Sequence, residues 1–394
     1  MTRFLPYGRQ TIEDDDVAAV ASILRSDHLT TGPVVDEFEA AFAKATGALH
    51  AVACNSGTAA LHLAALALDL QQGEVAVVPT VTFLSTANVV RMTGADVVFA
   101  DVDPDSGLMG PSHLDAALVR ARTTGAKVRA VFPVHLGGDV CDLEAIADLA
   151  GRNDIDVVED ACHSLGETHI GACRYSKFAC FSTHPVKAIA TGEGGVITTA
   201  DAGAAARMRR LRSHGMVRDE ALIENRTLSC DSAGLLPWSY EMSEIGWNYR
   251  MPDILCALGI SQLNKLPRFI ARRRALAALY DELLAPLAPN IRAVPRRGGG
   301  HGWHLYRVLV NFDALGTSRR AVMELLRQRD IGTQVHYIPV HRQPYYQRRY
   351  GGLNLPGADA YYSRCLSLPF FPSMIDDDVR RVVGALEQIA KAQH

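Results

Sequence analysis

The 394-residue sequence holds no apolar run long enough to span a bilayer, so no transmembrane segment is expected. It is also short of net charge. Its 40 Lys and Arg against 43 Asp and Glu leave −3, which gives no electrostatic reason to expect nucleic acid or an anionic membrane as partner. The eight cysteines, at positions 54, 141, 162, 173, 180, 230, 256 and 365, contain no CxxC pair. Scattered among apolar neighbours, they predict reduced core thiols rather than a disulfide framework or a cysteine metal site. The opening MTRFLPYGRQTIEDDD lacks an apolar core and turns acidic at once, so it does not read as a signal peptide. A cytoplasmic protein is expected. His62, His135, His163, His184, His336 and His341 are numerous, yet none falls in an HExxH or similar ligand spacing, and no metal is predicted. No GxGxxG follows the first strand and no GxSxG is present, which argues against a dinucleotide dehydrogenase and a serine hydrolase.

What is present is a long alternation of helix and strand patterns. A hydrophobic content of 48% with 21% charged residues is that of a globular chain, and the length suits a large domain plus a smaller one. Residues 11–26 read as an amphipathic helix with acids in its first turn, followed by a hydroxyl-rich loop closed by Gly32-Pro33 and a helix over Val34–Thr46. HAVAC (50–54) is a short strand, and the turn NSGT then feeds a strongly helical run. Strand, turn, helix leaves free N–H groups at a helix N-terminus, an anion site, although taken alone the turn is explained by an N-cap from Ser56 or Thr58. Further strands are expected at 75–79, 96–102, 128–134 and 154–160, with helices at Leu84–Met92, Ser112–Arg122 and Leu143–Arg152. Continuous Val-rich strands between helices predict an α/β fold with a mostly parallel sheet covered on both faces. Sites in such sheets lie at the carboxyl ends of strands, where NSGT, VTF (81–83), HLGG (135–138) and EDACH (159–163) all fall. A basic helix over 203–218 leads to a long helix over 253–284 opened by Pro252, in which ARRR (271–274) is expected as a solvated face. Beyond a bend at RRGGGHG (296–302), strand, helix (319–329), strand and helix (376–390) predict a small α/β domain. The expected division is 1–255 and 256–394, joined through the long helix.

The chain is organised around residues 156–199. They read as a buried strand ending in Glu159-Asp160, two short strands, a polar turn carrying Lys187, then GEGG and another apolar strand. An acid at a strand end with a lysine beyond a Ser-Thr-His-Pro turn suits a lysine Schiff base with pyridoxal phosphate (PLP). The ring nitrogen of that cofactor needs a carboxylate, and its phosphate needs hydroxyls and N–H groups. In this reading Lys187 carries the cofactor and acts as the base, while Asp160 keeps the ring nitrogen protonated. Phe83 stacks on its face. Each has a plainer alternative: a surface lysine, a cap, a core aromatic. His163 could contact the ring hydroxyl or be a loop histidine, and the sequence leaves both open. A regulator that keeps the cofactor without catalysis also stays open.

Read together, NSGTAAL, VTFLSTAN, PVHLGG, EDACHSLG, FSTHPVKAIATGEGG, GWNYRM and VHYIPVH resemble the nucleotide-sugar aminotransferases of the DegT/StrS family, a fold-type I PLP group. The resemblance covers nearly the whole chain, in order. It implies a PLP-dependent transferase acting as a homodimer with shared active sites. Ser56, Gly57, Thr58 and Ser182 would grip the cofactor phosphate, reached also by Asn248 from the neighbouring subunit. Tyr7, the loop Asp27, His28, Leu29 and Thr30, and the run Gln334, Val335, His336 and Tyr337 would line the nucleotide-sugar pocket, together with Gly57, Ser182 and Asn248. Within the family, LPYGRQTIEDDD, SDHLTTGP, LRSHGMVRD, LPWSYEMSEIGWNYRMPD and IGTQVHYIPVHRQPYY are most similar to the branch serving pseudaminic acid biosynthesis. That similarity implies a UDP-linked 4-keto-6-deoxy-N-acetylhexosamine and L-glutamate as substrates, with other nucleotide-sugar 4-aminotransferases as the alternative. Thr183, where the pattern has an aromatic, and Gly138, within HLGGDVC, depart from it.

Overall fold

A computed structural model describes residues 3–123, 125–296 and 301–391. Seven strands form the main sheet: β1 His50–Cys54, β2 Glu74–Pro79, β3 Asp96–Ala100, β4 Lys127–Val131, β5 Asp156–Asp160, β6 Phe178–Ser182 and β7 Gly195–Thr199. Their order is β1-β7-β6-β5-β4-β2-β3. The pairs from β6 through β3 are parallel, and β7 runs antiparallel to both β1 and β6. The continuous Val, Ala and Phe of β2, β5 and β6 are buried because helices cover both faces. These helices include α2 Val34–Thr46, α3 Gly57–Ala67, α4 Leu84–Met92, α5 Pro111–Thr123, α6 Leu143–Gly151 and α7 Ala202–Leu211, while α1 Asp14–Ile23 packs on the long helix Asp253–Leu284. The α/β architecture and mostly parallel sheet expected from the sequence are those of the structure.

Boundaries moved where local chemistry overrode the pattern. Helix α1 starts at Asp14 because Glu13 caps it in a reciprocal box with Asp16. The strands expected to run to 102 and 134 stop at Ala100 and Val131, and β5 begins only at Asp156, after Asp154 turns through a positive φ of 54°. Between Asp160 and Lys187 there is one strand, β6, rather than two. Residues 163–177 are turns, with positive φ at Gly166, His169, Gly171 and Cys173. The basic helix ends at Leu211, where His214 and Gly215 take left-handed conformations.

The long helix Asp253–Leu284 has the expected limits and serves two hydrophobic cores. Cys256, Leu263, Leu266 and Ile270 pack into the core of the main sheet; Leu276, Ala277, Tyr280 and Leu284 pack into a second core. That second core is built on a three-stranded antiparallel sheet of Ile291–Ala293, Tyr306–Val310 and Cys365–Leu368, with helices Arg319–Gln328 and Asp376–Lys391 against it. Leu5 also belongs to it, its N–H bonded to the Asp330 carbonyl at 2.8 Å. The expected solvated ARRR face is corrected at Arg273, which is 1% exposed. Its spacing from Ile270, Leu276 and Tyr280 puts it on the inward face of the helix. The glycine-rich bend expected at 296–302 falls largely outside the described residues. All eight cysteines are free thiols, six of them buried.

Candidate active site

The carboxyl ends of β2, β5 and β6 and the N-terminus of α3 open into a cleft of about 660 Å³. At its floor is Asp160, the last residue of β5 and 5% exposed. A buried carboxylate needs hydrogen-bond donors on it. The Cys162 N–H reaches Oδ1 at 3.2 Å, and the Thr86 hydroxyl reaches Oδ2 at 2.7 Å.

Lys187 faces the same cleft from the loop between β6 and β7. Thr183 takes over where the pattern has an aromatic: its hydroxyl bonds that of Thr191 at 2.5 Å, and two backbone bonds, Thr183 to Gly194 and Thr191 to Thr183, close the loop at its base. The Lys187 N–H bonds the His184 carbonyl at 2.8 Å, and its own carbonyl accepts from Arg273 Nη2 at 3.3 Å. Burial pushes the Lys187 amine below its ordinary value; the Cys162 and Asp160 charges oppose this without cancelling it. A larger fraction of neutral amine follows, which is what a nucleophile or base needs.

Ser56 caps α3, accepting from the Ala59 N–H at 3.1 Å, so the plain N-cap expectation is correct as far as it goes. It leaves the hydroxyl proton free and, by helix geometry, the Gly57 and Thr58 N–H groups without intrahelical acceptors. Gly57 is obligatory for packing: a Cβ there would stand 2.8 Å from the Ser182 Cβ. Helix end and β6 hydroxyl are thereby held side by side, an anion cradle of backbone and serine donors. Phe83, 54% exposed, forms an aromatic wall 6.0 Å from the Tyr337 ring.

His163 Nδ1 accepts the Gly137 N–H at 3.1 Å, which puts the ring proton on Nε2, 3.3 Å from the Tyr337 hydroxyl. Burial first, then the charges of Lys187, His336 and Arg307, hold this imidazole well below its ordinary value. His336 is pushed to about 3 by burial and then the charges of Lys187 and Arg307, and its Nδ1 lies 2.8 Å from the Ser367 hydroxyl. Tyr7 comes from the other end of the chain to lie 5.5 Å from the His336 ring. Gln334 and Val335 line the cleft beside them.

Thirteen of the residues singled out from the sequence therefore meet in one cleft, from Tyr7 through Lys187 to Tyr337. Five do not. Asp27, His28, Leu29 and Thr30 form an exposed loop outside the cleft of their own chain, tied down at Gly32 and Val34 by the Asp253 carboxylate. Asn248 is exposed too, its carbonyl accepting from the Asn55 side chain at 3.3 Å. Sequence reasoning passed over Thr86, Cys162 and His304. Thr86 stands four residues after Thr82, a spacing that stacks hydroxyls at a helix start. His304 is 3% exposed, with its ring 4.4 Å from that of His163 and no hydrogen-bond partner for Nδ1 among the described residues. No signal short of three-dimensional proximity marked it. Among the described residues no group of His, Cys, Asp and Glu could hold a metal ion, and no helix is long and apolar enough to cross a membrane.

A buried carboxylate, a lysine with depressed basicity, an exposed aromatic face and a helix-end anion cradle fit a flat, cationic, phosphorylated pyridine. Comparison with known proteins agrees. Residues 10–387 match the model of the DegT/DnrJ/EryC1/StrS aminotransferase family. Among solved structures, Helicobacter pylori PseC, an aminotransferase involved in the biosynthesis of pseudoaminic acid, is 25% identical, with 99% of this chain and 100% of that one covered and a TM-score of 0.88. Spr1654 of Streptococcus pneumoniae in its PLP-form is 25% identical over 99% and 100%, TM-score 0.86. DesI, solved in the presence of its TDP-sugar product, is 31% identical over 99% and 94%, TM-score 0.84.

Proposed function

The chain belongs to the DegT/DnrJ/EryC1/StrS aminotransferase family, a PLP-dependent nucleotide-sugar aminotransferase by that membership, and from this premise we propose its substrates. The amino group of L-glutamate passes to C4 of UDP-2-acetamido-2,6-dideoxy-β-L-arabino-hex-4-ulose. The product is UDP-4-amino-4,6-dideoxy-N-acetyl-β-L-altrosamine, on the route to pseudaminic acid, in the cytoplasm. The observation that carries the chemistry is Lys187 with its depressed basicity in one cleft with Asp160. The full-length similarity to Helicobacter pylori PseC supports the sugar. The similarity to DesI keeps a TDP-linked 4-keto-6-deoxy sugar as the second reading.

Pyridoxal phosphate, when bound, supplies an aldehyde that receives and returns the amino group and a ring that withdraws electrons from the reacting carbon. Lys187 would hold its aldehyde end, Ser56, Gly57, Thr58 and Ser182 its phosphate, Asp160 its ring nitrogen, and Phe83 its face. His163, neutral and fixed between Gly137 and Tyr337, would stand beside the ring. Released Lys187 takes the proton from Cα of glutamate on Nζ and, in the second half, delivers one to C4 of the sugar. One base thus serves both halves. Tyr7, Gln334, Val335, His336 and Tyr337 line the side of the cleft where the sugar nucleotide would enter.

The expected site residues Asn248 and Asp27–Thr30 lie outside the cleft of their own chain, as they would in a homodimer that shares its sites. Leu222, Leu228, Trp238, Tyr240, Met242 and Ile245 are each more than half exposed within one stretch that ends beside Asn248. A second copy seated there would cover them, bring the partner subunit's Asn248 to the phosphate, and turn the Asp27–Thr30 loop toward the neighbouring sugar pocket. The test is a half-reaction panel. Glutamate should bleach the bound cofactor's yellow absorbance, and after removal of the donor each candidate keto sugar is added. Recovery of the yellow form with the UDP-linked L-arabino ketone is expected. Recovery only with a TDP-linked ketone would overturn the substrate and leave the family chemistry standing.

A further inference from the structure

The carboxylate of Asp160 is held by groups whose hydrogen-bond direction can be worked out. A carboxylate only accepts, so the single hydroxyl proton of Thr86 points to Asp160 Oδ2, 2.7 Å away. With its proton committed, Thr86 Oγ1 is an acceptor for the Thr82 hydroxyl at 2.8 Å. Both threonines are buried, Thr86 completely, so water does not compete for these positions. The chain runs one way: Thr82 donates to Thr86, and Thr86 to Asp160. Helix geometry makes it possible. Thr82 ends the segment after β2 and Thr86 lies in the first turn of α4, four residues on. The Cys162 N–H on Oδ1, at 3.2 Å, is longer. Removal of Thr86 therefore takes away the shorter of these two contacts and the hydroxyl donor on the carboxylate, leaving the Cys162 N–H and the Cys162 thiol, a weak donor. Each donor in such a series polarises the next, so the effect of Thr82 reaches Asp160 only through Thr86.

We propose that Thr86 is the positioning residue that fixes the orientation of the carboxylate facing the cofactor ring nitrogen, with Thr82 as its polarising donor. The proposal rests on the reading of Asp160 as the ring-nitrogen partner. Neither threonine touches the reacting atoms, so the test reads cofactor binding and not only turnover.

Cofactor-free protein is titrated with pyridoxal phosphate, and the dissociation constant and absorbance maximum of the bound form are recorded for wild type, Thr86→Val, Thr86→Ser, Thr82→Val, the Thr82→Val/Thr86→Val pair and Asp160→Asn. Thr86→Val keeps the shape and removes the donor to a charged acceptor, so binding should weaken ~10-fold or more, with a shifted absorbance maximum. Thr86→Ser should stay close to wild type, because the hydroxyl and not the methyl carries the effect. Thr82→Val should cost roughly 3-fold. The pair should bind no worse than Thr86→Val alone, since the two act in series. Thr86→Val within 2-fold of wild type and with an unshifted maximum would overturn the proposal. So would a Thr86→Ser protein as weak as Thr86→Val, or a pair whose losses multiply. Should Thr86→Val fail to fold, the Ser and Thr82 variants decide alone. If Asp160→Asn binds with wild-type affinity and spectrum, the ring-nitrogen reading itself falls; if only Asp160→Asn is impaired, Thr86 alone is rejected.

Discussion

Replacing Arg273 with methionine should leave the protein as stable as before, or more so, while impairing the site. The guanidinium is 1% exposed; among the described residues its Nε and Nη1 have no hydrogen-bond partner, and Nη2 bonds the Lys187 carbonyl at 3.3 Å. Burial pushes its pKa well below the ordinary guanidinium value, to about 10, and at about 1.36 kcal/mol per unit the charged form costs the native state roughly 3 kcal/mol. Methionine removes that cost and fills the aliphatic space. Against it stands the Lys187 carbonyl left without a donor, about 1–3 kcal/mol. The balance lies between about 0 and +2 kcal/mol. For a chain of 394 residues an unfolding entropy of ~2.1 cal/mol/K per residue turns each kcal/mol into roughly 1 °C of Tm. Calorimetry of the cofactor-free protein should show Tm unchanged or up by ~1–2 °C, and the loaded enzyme should show a lower kcat because the Lys187 loop has lost its tether. The cofactor-free comparison matters, since bound ligand would add its own stabilisation. A Tm lowered by more than ~3 °C would refute the reasoning, because it would mean the guanidinium stabilises the core it occupies.

Acid should destabilise the fold well above the carboxylate range. His62, His301 and His336 are pushed by burial to about 4, about 3 and about 3, and His163 and His304 well below their ordinary value. Unfolding lets each take up a proton that the native state refuses, so stability falls as pH drops below ~6.5, by up to about 1.4 kcal/mol per histidine per unit, until the native pKa is reached. Urea midpoints that stay flat between pH 6.5 and 5 would contradict this. Gly57→Ala puts a Cβ 2.8 Å from Ser182 and 3.3 Å from Cys162 Sγ, and the forced shift should weaken pyridoxal phosphate binding ~10-fold at a stability cost of ~1–3 kcal/mol. An unchanged binding isotherm would show that the cradle is slack. Glu39, 4% exposed, joins Arg209 at 2.7 Å and Arg212 at 2.5 Å and accepts the Ala53 N–H of β1. Glu39→Gln leaves Arg212 mostly buried with the Ala53 carbonyl, and Arg209 partly in solvent, and should lower the unfolding free energy by ~2 kcal/mol, with a loss under ~0.5 kcal/mol counting against it.

Strand and helix order was legible because a parallel sheet writes continuous Val-rich runs between amphipathic ones, and Pro252 marks the start of the long helix unmistakably. Lys187 and Asp160 were legible as a pair because glycine and proline punctuation brackets them at consecutive strand ends. The stretch 163–177 was misread as containing a strand, since its left-handed His169 and Cys173 are residue types with no turn signature of their own. Arg273 was misplaced for a different reason. Beside Arg272 and Arg274, composition says surface, while the 3.6-residue period says core, and packing between two cores decided it. Thr86 and His304 carried no local mark, because their importance lies in what the fold brings within reach of them. The Asp27–Thr30 loop and Asn248 looked like site residues and lie outside the cleft of their own chain.

Leu5 and Tyr7 sit on the second core and the cleft wall through bonds to residues more than three hundred positions away. The Gly332 N–H donates to the Leu5 carbonyl at 2.8 Å, and that of Phe370 to the Tyr7 carbonyl at 3.0 Å. During synthesis this segment therefore emerges more than three hundred residues before these partners and must wait for them. The main sheet, complete by Thr199, has its strands long before that. A nascent chain thus has the strands that flank Asp160 and Lys187 early, and the cleft wall made by Tyr7 and residues 334–337 late.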